Sequence, residues 1–172
     1  MRSRKILALK RRRKGITNYR KRLELLKSKK PRVVIRKSNN YITLQLVEFD
    51  VKSSEEITRY SFSSKKLNDF GWNYSKKNLP ACYLAGLAFG LISKKNKVRE
   101  GVLDIGVYRM TKGNKILAAV LGCVEGGIRI NYGDRGVPSE DRIRGKHISK
   151  EVEEKFDQVK QKILDYYGGR KE

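Results

Sequence analysis

The chain has 172 residues, 38% of them hydrophobic, and carries 41 Lys or Arg against 18 Asp or Glu for a formal net charge of +23. That length suits one domain with a tail or two, and that charge asks for a dense polyanion, because each Lys or Arg that meets a phosphate releases a condensed counterion. A membrane span is excluded: the longest apolar run, Leu79 to Ile92, is too short to cross a bilayer and contains Gly86 and Gly90.

The charge is concentrated. From Met1 to Lys37, seventeen residues are Lys or Arg and only Glu24 is acidic. The start of the chain lacks the apolar stretch and small-residue cleavage site of a secretory signal. Between Arg2 and Lys14 only Ile6, Leu7 and Leu9 could anchor in lipid, which leaves an anionic membrane surface as a minor alternative. Cys82 and Cys123 each sit in an apolar run, too far apart for a metal knuckle. They read as buried free thiols in a reducing cytosol.

Met1 to Gly15 reads as an extended or partly disordered arm, since a block of like charge cannot collapse on itself. Thr17 or Asn18 caps a helix running to about Ser28, with Tyr19, Leu23 and Leu26 as its apolar stripe, and Pro31 ends it. Three strands follow: Arg32 to Arg36, Tyr41 to Asp50 and Ile57 to Phe62. Asn39-Asn40 and Ser53-Ser54-Glu55 turn between them, which makes an antiparallel meander. Along the third strand, Ile57, Arg59 and Ser61 share one side and Thr58, Tyr60 and Phe62 the other.

The period then changes. Ser63 to Asp69 reads as a short helix and Phe70 to Tyr74 as a loop. Asn78 or a neighbour caps a long helix from Leu79 to about Lys94, with Pro80 tolerated in its first turn. Its small residues, Ala81, Ala85, Gly86 and Gly90, suit close approach to a sheet. Val102 to Val107 is a strand, Asn114 caps a helix to Glu125 that Gly126-Gly127 stop, and Ile128 to Ile130 is a short strand. Val137 to His147 reads as a polar loop. Ser149 caps a last helix, whose stripe of Ile148, Val152, Phe156, Val159 and Ile163 docks either on the domain or on a neighbouring protein. The expected fold is α/β: a central mixed sheet, antiparallel meander plus strand–helix–strand, flanked by helices. Residues 1–30 form a basic N-terminal arm and short helix, 31–148 a globular RNA-binding domain, and 149–172 an amphipathic C-terminal helix and tail.

The KRRRK block and its surroundings read as phosphate contacts, with Arg prevailing from Arg11 to Arg22 because a guanidinium forks onto phosphate. RNA is favoured over DNA, since aromatic residues stand beside basic or amide side chains and exposed bases of folded RNA stack on such rings. Tyr19 and Trp72 divide evenly between stacking and packing, whereas Tyr41 and Phe70 read as packing. RKSNN, Arg36 to Asn40, is either a phosphate or ribose holder or a plain hairpin turn. SEDRIRGKH, Ser139 to His147, puts Arg142, Arg144 and Lys146 at alternate positions, with Glu140 and Asp141 orienting them or capping a turn.

A metal-dependent RNA-processing nuclease is the alternative from another class. It needs carboxylates converging on a metal, and only Asp104 stands in a strand. Asp104 reads instead as a structural acceptor for backbone or Arg donors. No catalytic, metal-ligating or cofactor-binding set emerges. GNK, Gly113 to Lys115, lacks the glycine spacing of a phosphate loop.

The segments KGITNYRKRLELLKSKKPRVVIRKSNN, NDFGW, NLPACYLAGLAFG, VLDIGV and PSEDRIRGKHI, in this order from about Arg11 to Ile148, resemble the archaeal-type branch of the universal large-subunit ribosomal protein family that binds 5S rRNA. The resemblance implies a structural constituent of the large ribosomal subunit in the cytoplasm. It implies a protein that binds 5S rRNA and helps attach it to 23S rRNA in the central protuberance, beside neighbouring ribosomal proteins, with no small-molecule substrate. By motif match it implies RNA contacts at Arg11, Arg12, Arg13 and Lys14, and at Thr17, Asn18, Tyr19, Arg20 and Arg22. It implies further contacts at Arg36, Lys37, Ser38 and Asn39, and at Arg142, Arg144 and Lys146.

Overall fold

The computed structural model describes residues 7–50, 53, 55–133 and 136–169. The start of the arm, Ser54 of the second turn and the last three residues lie outside this set.

Five strands form one sheet in the order β3-β2-β1-β4-β5. β1 (Arg32–Lys37) pairs antiparallel with β2 (Ile42–Asp50), and β2 with β3 (Glu55–Ser63). β4 (Glu100–Asp104) lies parallel to β1, and β5 (Arg129–Ile130) parallel to β4. This is the expected mixed sheet. Ser38 closes the β1–β2 hairpin: its Oγ donates to the Tyr41 carbonyl at 3.0 Å and accepts from the Tyr41 N–H at 2.9 Å.

The faces of the sheet differ. Val33, Ile35, Ile42, Leu44 and Leu46 point into the core. Residues between them on β1 and β2, such as Arg32, Val34, Gln45 and Val47, line the other face. A bulge between Leu46 and Val47 puts Tyr60 opposite Leu46 but Thr58 opposite Val47. One extra residue in β3 reverses which way its side chains point. Thr58 therefore leaves Tyr60 and Phe62 and joins the open face, contrary to the regular alternation read from sequence.

Helices cover the core face. α3 (Leu79–Lys95) starts at Asn78, whose side chain accepts from the Ala81 N–H at 2.9 Å. It is buried on nearly every side, as an apolar helix in the middle of a core should be. α4 (Lys115–Glu125) crosses it so closely that a Cβ on Gly86 would lie 2.0 Å from the Ala119 carbonyl oxygen. A Cβ on Gly90 would lie 2.6 Å from that of Cys123. These two glycines serve helix-on-helix contact, not the approach to the sheet expected of them. α6 (Lys150–Gly168) buries Val152, Phe156, Val159 and Ile163 and packs on α3, so its stripe docks on its own domain. Ile148 is not part of that stripe and stays exposed.

Smaller corrections concern the connections. The segment read as a polar loop contains a helical turn, α5 (Glu140–Arg144), because Ile143 reaches the core. Ser64–Phe70 is a 3-10 helix ended by Gly71 at φ 86°. Trp72 is fully buried and donates from Nε1 to the Ser75 carbonyl at 3.2 Å, so it packs and does not stack on bases. Val107 lies beyond β4 and is exposed. Cys82 and Cys123 are free and buried. Burial pushes the Cys82 thiol up to about 12 and raises that of Cys123 further.

Candidate nucleic-acid interface

The arm is not extended throughout. Lys10–Arg13 form one helical turn, α1, with every side chain exposed. Gly15 reverses the chain at φ 64°. α2 (Tyr19–Lys27) follows, capped by Asn18, whose Oδ1 accepts from the Lys21 N–H at 3.1 Å. Asn18, and not Thr17, is thus the cap. Thr17 instead accepts from Arg11 Nε at 2.9 Å and pins the turn before the helix. α2 ends at Lys27, capped by Ser28, with Lys29 at φ 55°, so the stop precedes Pro31.

α2 buries no residue completely, and the expected stripe is partial: Tyr19 and Leu26 are half-buried while Leu23 is exposed. What holds it to the domain is polar. Lys21 Nζ reaches the Gly106 carbonyl at 3.4 Å, and Arg22 meets Glu56 at 2.9 Å. Between α2 and the open face of the sheet lies a cleft of about 570 Å³. Arg11, Lys21, Arg22, Arg32, Arg36 and Lys37 all line it, against the carboxylates of Glu56 and Asp104.

These charges form a ladder across the open face. Arg22 and Arg32 both meet Glu56, Arg32 at 2.7 Å. Arg32 also meets Asp104 at 3.0 Å, and Arg36 meets the other oxygen of Asp104 at 3.1 Å. Arg32 is buried, where an unpaired guanidinium would be very costly; two carboxylates satisfy it. Asp104 also accepts from the Gly106 N–H at 2.8 Å. It is the structural acceptor expected from sequence. Three guanidiniums share two carboxylates, so the ladder keeps a positive excess. Arg36 and Arg22 expose nearly half of their side chains at its ends.

Lys37 lies over the Tyr108 ring, 4.8 Å from its centroid, and also contacts the Tyr108 hydroxyl. Tyr108 was missed in the sequence. The available signal was an aromatic residue followed by Arg109 directly after a strand, the pattern used for Tyr19-Arg20. Lys21 was also missed, because only the helix cap decides which face of α2 looks inward.

The predicted contact residues thus do not form one site. Arg11, Thr17, Asn18, Arg22, Arg36 and Lys37 come together around the cleft. Arg12, Arg13, Lys14 and Arg20 point outward around it and are exposed. Ser38 is committed to the hairpin turn, and Asn39 beside it is exposed. The loop cations are elsewhere, and two of the three are largely neutralised. Arg144 faces Asp157 at 3.5 Å and both Glu140 and Glu153 at 3.8 Å. Lys146 meets Asp141 at 2.7 Å; the hydrogen bond and the charge together hold the Asp141 carboxyl below its usual range and raise the Lys146 ammonium. Arg142 stands apart, its guanidinium near Gly113.

Residues 3–97 match the sequence family described as "Ribosomal large subunit proteins 60S L5, and 50S L18". The chain belongs to this family. It is 44% identical over 158 residues to the large ribosomal subunit protein uL18 of Korarchaeum cryptofilum, covering 91% of this chain and 80% of that one. It is 40% identical over 155 residues to the protein of the same name from Methanoregula boonei, covering 90% and 88%. These relatives agree with the archaeal-type resemblance. A member of this family is an rRNA-binding structural constituent of the large ribosomal subunit, in the cytoplasm, and not an enzyme. No helix among the described residues is long and apolar enough to cross a membrane.

Proposed function

We propose that the arm, α2 and the open face of the sheet together bind 5S rRNA, and that the protein helps attach it to 23S rRNA in the central protuberance, beside neighbouring ribosomal proteins. One observation carries this reading. Arg11, Lys21 and Arg22 from the N-terminal segment meet Arg36 and Lys37 from the first hairpin around one cleft, with a net positive ladder on its floor. Such a surface takes a sugar–phosphate backbone, and the polar groups of Thr17, Asn18, Gln45 and Tyr108 suit ribose and base edges. Arg12, Arg13, Lys14 and Arg20 extend the charge outward along the backbone. Residues 1–30 act as the RNA-seeking arm and short helix, 31–148 as the shaped domain, and 149–172 as the C-terminal helix and tail. A nuclease reading loses its best residue, because Asp104 is saturated by two guanidiniums and an N–H.

The test is competition between 5S rRNA and transfer RNA at physiological salt, with the full chain and with a form lacking Met1 to Lys14. The expected result is preference for 5S rRNA, and, on deletion, an intact fold with weaker binding and a flatter dependence on salt. Equal affinity for both RNAs would overturn the 5S assignment. An unchanged salt slope after deletion would remove the arm from the interface.

A further inference from the structure

A second groove lies on the helix side of the sheet, across the core from the cleft. A groove of about 690 Å³ runs between the 3-10 helix and the end of α6, lined by Lys66, Phe70, Lys162 and Tyr166. Tyr166 is 71% exposed, yet its ring is held by edge-to-face contacts with Phe70 at 5.6 Å and with Tyr167 at 4.8 Å. An exposed ring already fixed in place loses little entropy when a base stacks on it.

Next to it, two ammonium groups converge. A Cβ on Gly71 would lie 3.7 Å from Lys162 Nζ and 3.8 Å from Lys155 Nζ. Neither lysine has an ion pair among the described residues, whereas Lys160 on the same helix is paired with Glu125 at 2.7 Å. Asp69 and Asp165 line the groove as well, and Asp165 is engaged by Gln161 Nε2 at 3.0 Å. Asp69 and Asp165 balance Lys66 and Lys162 in number, so Lys155 is the surplus cation beside Gly71, and an anion seated between it and Lys162 answers that charge.

We infer that this groove is a second RNA site, taking one phosphate between Lys155 and Lys162 and the adjoining base of an unpaired strand on Tyr166. The inference rests on the chain being an rRNA-binding protein, and not on which RNA fills the cleft. A strand of unpaired nucleotides fits better than an acidic peptide, because Tyr166 is largely exposed beside the charge and any base can stack on an aromatic ring.

The probe is fluorescein-labelled octauridylate, titrated into the full chain saturated with 5S rRNA. Octauridylate should bind the loaded protein. Substituting Lys155→Gln and Lys162→Gln together should weaken it about tenfold and flatten its salt slope. Tyr166→Ala, at an exposed position, should weaken it about tenfold with the slope kept. All variants should hold 5S rRNA as the wild type does. Wild-type affinity for octauridylate in these variants overturns the proposal, as does failure of octauridylate to bind the loaded protein. A Tyr166→Ala variant without effect, with displacement by polyglutamate, would identify an acidic-peptide surface and overturn it too. If the chain did not retain 5S rRNA, the same variants titrated as free protein would still decide the groove, and only the cleft assignment would fall.

Discussion

Arg36 holds Asp104 twice: one guanidinium N–H lies 3.1 Å from its carboxylate and another 2.6 Å from its backbone carbonyl. The two residues stand on parallel strands, so this contact locks the end of β4 to β1 and fixes the Arg36 charge at the rim of the cleft. Asp104→Asn would leave Arg32 buried with Glu56 as its remaining carboxylate and free Arg36 to wander. We expect a loss of roughly 3 kcal/mol of stability, as for breaking a buried pair from one side, together with weaker RNA binding. Urea unfolding followed by circular dichroism measures the first effect; an unchanged midpoint would mean that the ladder contributes nothing.

Exposure and pairing decide which cations matter to RNA. Arg13 and Arg20 are exposed, and Arg20 has only a distant contact, 3.9 Å, with Glu24. Each substitution to Ala should lower the magnitude of the log–log salt slope by about one phosphate's worth, near 0.9. Arg144→Ala should change it less, because its charge is already shared with Glu140, Glu153 and Asp157. A slope change at Arg144 equal to that at Arg13 would show that those carboxylates do not neutralise it.

The α3–α4 contact leaves no room at Gly86, where a Cβ would lie 2.0 Å from the Ala119 oxygen. The Ala119 oxygen belongs to the backbone, which cannot rotate away as a side chain tip would. Gly86→Ala should therefore cost about 3 kcal/mol or more, despite the better helix propensity of alanine. Thermal unfolding of the variant checks this; a stabilised variant would show that the helices separate at no cost.

The thiols give a pH prediction. With the Cys82 thiol pushed up from 9.0 to about 12, native protein should resist a thiol reagent at pH 8, and both cysteines should react in denaturant. The sign for stability follows. Above pH 9 the unfolded chain releases these protons while the folded chain keeps them, so the thiols' contribution to stability falls as pH rises from about 9 toward 12. Reactivity of native protein at pH 8 equal to that of unfolded protein would contradict the burial.

Sequence alone settled what depends on local chemistry. Asn78, Asn114 and Ser149 cap helices because a short polar side chain can take a free N–H one turn on, whatever the domain does. The concentration of cations before Lys37 identified a polyanion partner for the same reason: charge needs no fold to be counted. Tertiary structure decided what depends on neighbours distant in the chain. The bulge opposite Leu46 turned Thr58 to the open face, because register is set by the partner strand and not by alternation within β3. Gly86 and Gly90 met α4 instead of the sheet, since glycine signals close approach without naming what approaches. Arg144 and Lys146, cations in the sequence like any others, became nearly neutral when α5 and α6 brought carboxylates to them, whereas Arg22 and Arg36 kept charge to spare. A charge is a property of a residue, but its field is a property of everything folded around it.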